Sequence, residues 1–217
     1  ASDSNLVNAS IWGLMLAGKI VGPGDLFQQA PANWLAKLTH RIGDPTVRLA
    51  TLQAMKILGG QFVLGRDIGS ALKRAGRNGT LCSCDMLGEG ARTRKDADRY
   101  FENYLAAIET VGSASTASHL VDRHNVSVKL SALHPRFWES HRETCLPALK
   151  EKVLALAATA RRFNIGMSLD AEECARLELT MDVFEWLCKQ PELEDWQGLG
   201  FVLQAYQKRA LDVAKWL

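Results

Sequence analysis

Apolar and polar positions follow one period up to about residue 80 of this chain and another beyond it. Before that point the spacing is helical. Ile11, Leu14, Met15 and Leu16 mark an expected helix over Ile11 to Val21, stopped by Gly22-Pro23-Gly24. Trp34, Leu35 and Leu38 lie on one side of a second, Pro31 to Ile42. Asp44-Pro45 reads as an N-cap with proline at the first helical position. The third helix then runs through Val47, Leu49, Leu52 and Met55 to Leu58 and ends at Gly59-Gly60. A fourth, Arg66 to Ala75, is closed by Gly76 and Asn78-Gly79.

From Leu81 onward, short apolar runs alternate with helical stretches. Leu81 to Cys84, Val126 to Leu130, Ile165 to Leu169 and Leu199 to Leu203 read as strands. Between and after them lie expected helices over Arg94 to Val111, about Leu146 to Arg161, Leu177 to Lys189 and Lys208 to Leu217. This alternation implies βαβ units and a parallel sheet. Four such units make either half of a (β/α)8 barrel or an open doubly wound sheet. The expected division is a helical lead-in over residues 1–79 and an α/β segment over 80–217, with the boundary in the loop Gly76 to Thr80.

Composition narrows the function classes. The chain has 217 residues, 47% of them hydrophobic, which is ordinary for a globular protein that buries a substantial core. A formal net charge of +2 makes no demand for nucleic acid or a membrane surface. No apolar run approaches the roughly 20 residues of a membrane span, and no signal-peptide pattern opens the chain. The five cysteines are odd in number and scattered, so they read as small buried side chains in a reducing cytosol. Cys82-Ser83-Cys84 is not a zinc spacing, and the neighbouring sequence offers no second Cys/His pair.

Each expected strand leads to a polar or charged residue: Asp85, Lys129, Asp170 and Gln204. Parallel α/β folds carry their sites at the C-terminal ends of the strands, so these four side chains are expected to converge on one mouth. A lone Asp after a strand is most simply a cap or a turn residue. Lys129, between Val128 and Leu130, needs a counter-charge, a ligand or a route to solvent. Asp170-Ala-Glu-Glu173 could bind a divalent metal, supply acid–base groups, or form the acidic first turn of the next helix. The helix-turn reading is preferred for Glu173. His134-Pro-Arg136 reads as a loop in which the histidine shapes the turn or pairs with a neighbour, and the tryptophans as packing residues. No GxGxxG or Walker pattern is present, which disfavours those nucleotide sites.

Four stretches carry a resemblance. Asp85-Met-Leu-Gly-Glu89, Val128-Lys-Leu-Ser-Ala-Leu-His-Pro-Arg136, Leu169-Asp-Ala-Glu-Glu173 and Gly200-Phe-Val-Leu-Gln-Ala-Tyr-Gln-Lys-Arg209 resemble, in order and spacing, motifs of the proline dehydrogenase domain of bacterial bifunctional proline-utilisation flavoenzymes. The resemblance extends into the lead-in, at Asn8 to Lys19 and Gly60-Gln-Phe-Val63. It implies the first four βα units of a (β/α)8 barrel preceded by a helical domain, with FAD at the barrel mouth. It also implies oxidation of L-proline to Δ1-pyrroline-5-carboxylate, with electrons passed to a membrane quinone.

By position, the resemblance makes Lys129 a ligand of the proline carboxylate, with Asp85 ordering the basic residues around it. Gln204 would hydrogen-bond the polar edge of the flavin, Asp170 and Ala171 would lie beside that edge, and Met86 and Tyr206 would be wall residues. It implies no metal, and a cytoplasmic protein for which peripheral contact with the inner membrane stays open. It further implies an aldehyde dehydrogenase domain in the same polypeptide and no nucleic-acid contact through this segment. The family barrel continues with strands that carry arginines for flavin and substrate, so residues 1–217 alone are expected not to turn over proline. Two alternatives stay open: a non-catalytic half-barrel that pairs with a partner chain, and a metal-dependent aldolase or hydrolase using Asp170 and Glu172.

Overall fold

The structure, a computed structural model, describes residues 52–53, 59–60, 63–86 and 90–217. The chain divides into two compact units, Ala1–Leu64 and Gly65–Leu217. The helices expected over Ile11 to Val21 and Pro31 to Ile42, and most of the third, lie outside the described residues, as do Leu87, Gly88 and Glu89.

The second unit opens with α1 (Ile68–Asn78). A reciprocal cap starts it: the Ser70 N–H donates to Asp67 Oδ1 at 2.7 Å, and the Asp67 N–H to Ser70 Oγ at 3.3 Å. It ends at Gly79, whose φ of 62° is a left-handed conformation that glycine adopts at low cost. Four parallel strands follow: β1 (Ser83–Asp85), β2 (Asn125–Val128), β3 (Gly166–Leu169) and β4 (Leu199–Phe201). Their connections carry α2 (Arg94–Ala114), the single turn α3 (Leu130–Leu133), α4 (Arg142–Arg162) and α5 (Leu177–Cys188). The last helix is α6 (Ala210–Trp216).

The strand order is β1-β2-β3-β4. A doubly wound sheet reverses direction at a switch point, whereas consecutive βα units of a barrel add each strand beside the last. The sequential order therefore decides between the two architectures left open by periodicity, in favour of barrel units.

The register explains why these strands alternate instead of running wholly apolar. Asp85 aligns with Ser127, Ser127 with Ser168, and Ser168 with Gly200, so one face carries a row of polar or small residues. Successive side chains point to opposite faces. The other face therefore presents Cys84, Val126, Val128, Met167, Leu169 and Leu199. These pack with Tyr104 and Ile108 of α2, Leu149, Val153 and Leu156 of α4, and Leu179 and Val183 of α5. Fully buried side chains of this kind contribute roughly 1.5–3 kcal/mol each. Ile68 and Leu72 of α1 pack against the same core.

Several elements differ from expectation. β2 ends at Val128, and Leu130 opens α3, so Lys129 stands at a strand-to-helix corner. The four-residue turn is shorter than any periodicity window. β4 stops at Phe201, and Gln204 lies in the following loop. Helix α4 begins a turn before Leu146 and carries Pro147 inside it. The cysteines are not uniformly buried: Cys145 is, Cys82 and Cys84 are partly covered, and Cys174 and Cys188 are exposed. Among the tryptophans, Trp186 and Trp196 pack on the core, while Trp138 and Trp216 remain substantially exposed.

Candidate active site

Two strand ends and the corner between them assemble the site. Val128 pairs with Leu169, so Lys129 and Asp170 are the next residues across the same pair of strands. Lys129 continues the face of Ser127, which also carries Asp85. The three side chains meet there. Lys129 Nζ lies 2.8 Å from Asp170 Oδ2 and is hydrogen-bonded to Asp85 Oδ1. Asp85 is 39% exposed, Lys129 24% and Asp170 20%, so the cluster is open to solvent on one side. The counter-charge that the lysine required is thus supplied twice over.

Backbone contacts hold each member. The Asp170 N–H donates to Val128 O at 2.9 Å, extending the ladder past the strands. Asp170 Oδ1 accepts the Ala171 N–H at 2.9 Å, which fixes the carboxylate while its other oxygen faces Lys129. The Lys129 N–H donates to Tyr104 Oη at 3.1 Å. Tyr104 is fully buried on α2, and a buried phenol needs a polar partner. Its position on the apolar side of α2 was the available sign of this role, which sequence reading missed.

A cleft of about 710 Å³ opens beside Lys129, and its lining includes Ser131, Ala171, Gln204 and Tyr206. Gln204 is partly buried and its Oε1 accepts from Gln207 Nε2. Tyr206 is 81% exposed on the rim. Met86 follows β1 and packs against the core, and the cleft lining does not include it. The structure therefore brings Asp85, Lys129 and Asp170 into one cluster, and of the three Lys129 lines the cleft that Ala171, Gln204 and Tyr206 also line.

The remaining carboxylates of the acidic run have other partners. Glu172 Oε1 accepts the Ser131 N–H at 3.0 Å, and its Oε2 lies 2.7 Å from Arg176 Nη1. Glu173 lies 3.1 Å from the same Nη1. His134 Nδ1 accepts the Arg136 N–H at 3.1 Å, as a loop-shaping histidine would. Burial is the main cause holding its pKa below the ordinary value. At the other end of the sheet, Cys82 Sγ lies 3.2 Å from His124 Nδ1, a Cys/His contact that linear spacing did not reveal. Beside it the Cys84 thiol is pushed up to about 12, first by burial and then by the neighbouring Cys82.

A sequential parallel sheet with a charged cluster and a cleft at the strand C-termini is the arrangement in which α/β barrels carry their active sites. The sequence profile described as "Proline dehydrogenase" matches residues 69–217, and the chain belongs to that family. A second profile, described as the DNA-binding domain of proline dehydrogenase, matches residues 1–62, nearly all outside the described residues. Its description runs against the expectation of no nucleic-acid contact, which rested on net charge and on the resemblance.

Relatives include the bifunctional protein PutA of Klebsiella aerogenes, 39% identical over all of this chain. Proline dehydrogenase 1 of Bacillus subtilis is 30% identical over 70% of the chain and 45% of its own length. A crystal structure of a mutant proline utilization A from Bradyrhizobium japonicum matches with a TM-score of 0.71 and 48% identity, covering 84% of this chain and 19% of that one. The chain spans 16% of the length of the Klebsiella relative.

Proposed function

We propose that this chain supplies the first four βα units, and part of the active-site mouth, of a barrel that oxidises L-proline to Δ1-pyrroline-5-carboxylate with FAD. The observation that carries the reading is the Asp85–Lys129–Asp170 cluster at adjoining strand ends in a chain of the proline dehydrogenase family. Lys129 is the point charge that meets the substrate carboxylate, and Asp85 and Asp170 aim its ammonium.

The trio carries a formal charge of −1, so a carboxylate docks there only with further cations nearby. Arginines on later barrel strands meet that requirement in the family the chain resembles. In the proposed organisation residues 1–79 are the lead-in that precedes this barrel in the chain.

The donor set suits a flavin edge. Gln204 presents an amide at the cleft, and an amide offers both donor and acceptor to the alternating carbonyl and N–H groups of that edge. When bound, FAD would accept the hydride, and with it both electrons, from the ring carbon beside the proline nitrogen, while the nitrogen proton leaves to solvent. Gln204 orients that edge, Ala171 lines the approach, Asp170 supports the surrounding hydrogen bonds, and Tyr206 covers the rim; Met86 packs behind β1. Electrons then pass to a membrane quinone.

The relatives described as bifunctional favour an aldehyde dehydrogenase domain in the same polypeptide. A cytoplasmic protein with peripheral access to the membrane suits both steps. Among the described residues, no helix is long and apolar enough to cross a bilayer. The pairing of Glu172 with Arg176 and Ser131 weighs against a metal-dependent reaction at Asp170 and Glu172.

The test is the visible spectrum of purified protein carrying the complete barrel. Flavin absorbance that bleaches on addition of L-proline is the expected result. A colourless protein, or a flavin indifferent to proline, overturns the reading. Residues 1–217 alone, with added FAD, are expected to give no dye-coupled turnover.

A further inference from the structure

We infer that Glu172 is a positioning residue for the substrate carboxylate, acting through the loop that carries Lys129. The inference rests on the reading of Lys129 as the carboxylate ligand.

Glu172 lies two residues beyond Asp170, in the loop after β3, yet its carboxylate is spent on the loop after β2. Oε1 takes the N–H of Ser131, two residues beyond Lys129, at 3.0 Å. Oε2 takes Arg176 at 2.7 Å. The Arg176 guanidinium lies 4.3 Å from the ring centre of Trp138 and 5.6 Å from that of Phe137, both downstream of α3 on the Lys129 side. Glu172 and Arg176 are only 6% and 12% exposed, so this ion pair is strongly screened from water. A buried charge that loses its partner is costly, and the exposed Glu173, 3.1 Å from the same Nη1, offsets only part of that loss.

The latch joins the two loops that the Lys129–Asp170 contact also joins. Strand pairing fixes the loops only up to Val128 and Leu169. Beyond that, the height of Lys129 relative to Asp170 depends on the Asp170 N–H to Val128 O bond, on the Tyr104 hydroxyl that accepts the Lys129 N–H, and on Glu172. Without Glu172, the first turn of α3 loses a side-chain acceptor and Arg176 loses its buried anion. Lys129 then explores positions from which its ammonium no longer meets a carboxylate in the cleft. The reacting carbon is remote from this contact, so binding suffers more than chemistry.

The experiment compares Glu172→Ala and Glu172→Gln in protein carrying the complete barrel. Glu172→Ala is expected to raise the KM for L-proline about tenfold while kcat stays within about threefold, the pattern of lost uniform binding. Glu172→Gln, which keeps an acceptor for Ser131, is expected to restore much of the KM. An unchanged KM in Glu172→Ala, or a fall in kcat at constant KM, overturns the inference.

A second readout needs no turnover. The shift in unfolding midpoint caused by Lys129→Met is expected to shrink by about half in the Glu172→Ala background, since coupled residues are non-additive. Additive shifts overturn the coupling. If the wild-type flavin ignores proline, the functional reading fails, and the midpoint cycle still decides whether Glu172 positions Lys129.

Discussion

Lys129 Nζ lies 2.8 Å from Asp170 Oδ2 although a whole βα unit separates the two residues in the chain. The strand register makes them neighbours, since Val128 and Leu169 are the last paired residues of β2 and β3. Asp85 completes the cluster from β1. Three consecutive strands thus deliver one cation and two anions to the same end of the sheet.

Replacing Lys129 by Met keeps most of the apolar stem and removes the charge. A charge-assisted hydrogen bond is worth roughly 1.5–3 kcal/mol, so the KM for L-proline is expected to rise about 10- to 100-fold in the complete barrel. In the proposed reading this contact is remote from the C–H bond that breaks, so kcat should change by much less. Steady-state kinetics separate the two; a loss confined to kcat would place Lys129 at the reacting centre instead.

Tyr104→Phe deletes one oxygen beneath the site. The Lys129 N–H then loses the acceptor it holds at 3.1 Å, and an unsatisfied buried donor costs about 1–3 kcal/mol. Urea unfolding should show that loss with an unchanged slope. Proline KM should rise as well, because the same bond fixes the corner from which Lys129 projects.

The thiols should separate by reactivity. Cys174 and Cys188 are exposed and are expected to be alkylated before the others in native protein. Burial pushes Cys188 upward from its ordinary value, so Cys174 should lead. Cys84, at about 12, stays protonated at pH 8 and should label only after unfolding or at strongly alkaline pH. Peptide mass mapping of an iodoacetamide time course reads the order; early modification of Cys84 would contradict its burial.

His134 ties stability to acid. Burial, the largest cause, lowers its pKa from 6.5 in the folded state. The unfolded chain therefore binds a proton first as pH falls, and the folded state loses stability through the range below about 6.5. Above that range both states are neutral and the group contributes no slope. Melting temperatures of wild type and His134→Gln, followed from pH 8 to pH 5, should differ in slope only in the acidic half.

Much of this protein is legible in its sequence because the signals are local. Periodicity marks the four strands and their intervening helices, since the apolar face of each element must meet the common core. The alternation in Asn125-Val-Ser-Val-Lys129 and Gly166-Met-Ser-Leu-Asp170 already assigns the serines and the charged ends to one face. Asp85, Lys129 and Asp170 follow from that pattern and from the rule that parallel strands carry chemistry at their C-termini.

Tertiary structure alone decided three other matters. The strand order chose barrel units over a doubly wound sheet, because both share the same βα alternation. Tyr104, Ser131 and Arg176 joined the site through contacts across α2, α3 and the loop after β3, and linear spacing does not encode such distances. The role of Glu172 also changed. A run of carboxylates looks alike in sequence whether it binds a metal, caps a helix or latches two loops. Only the placement of Arg176 and the Ser131 amide beside it separates these outcomes.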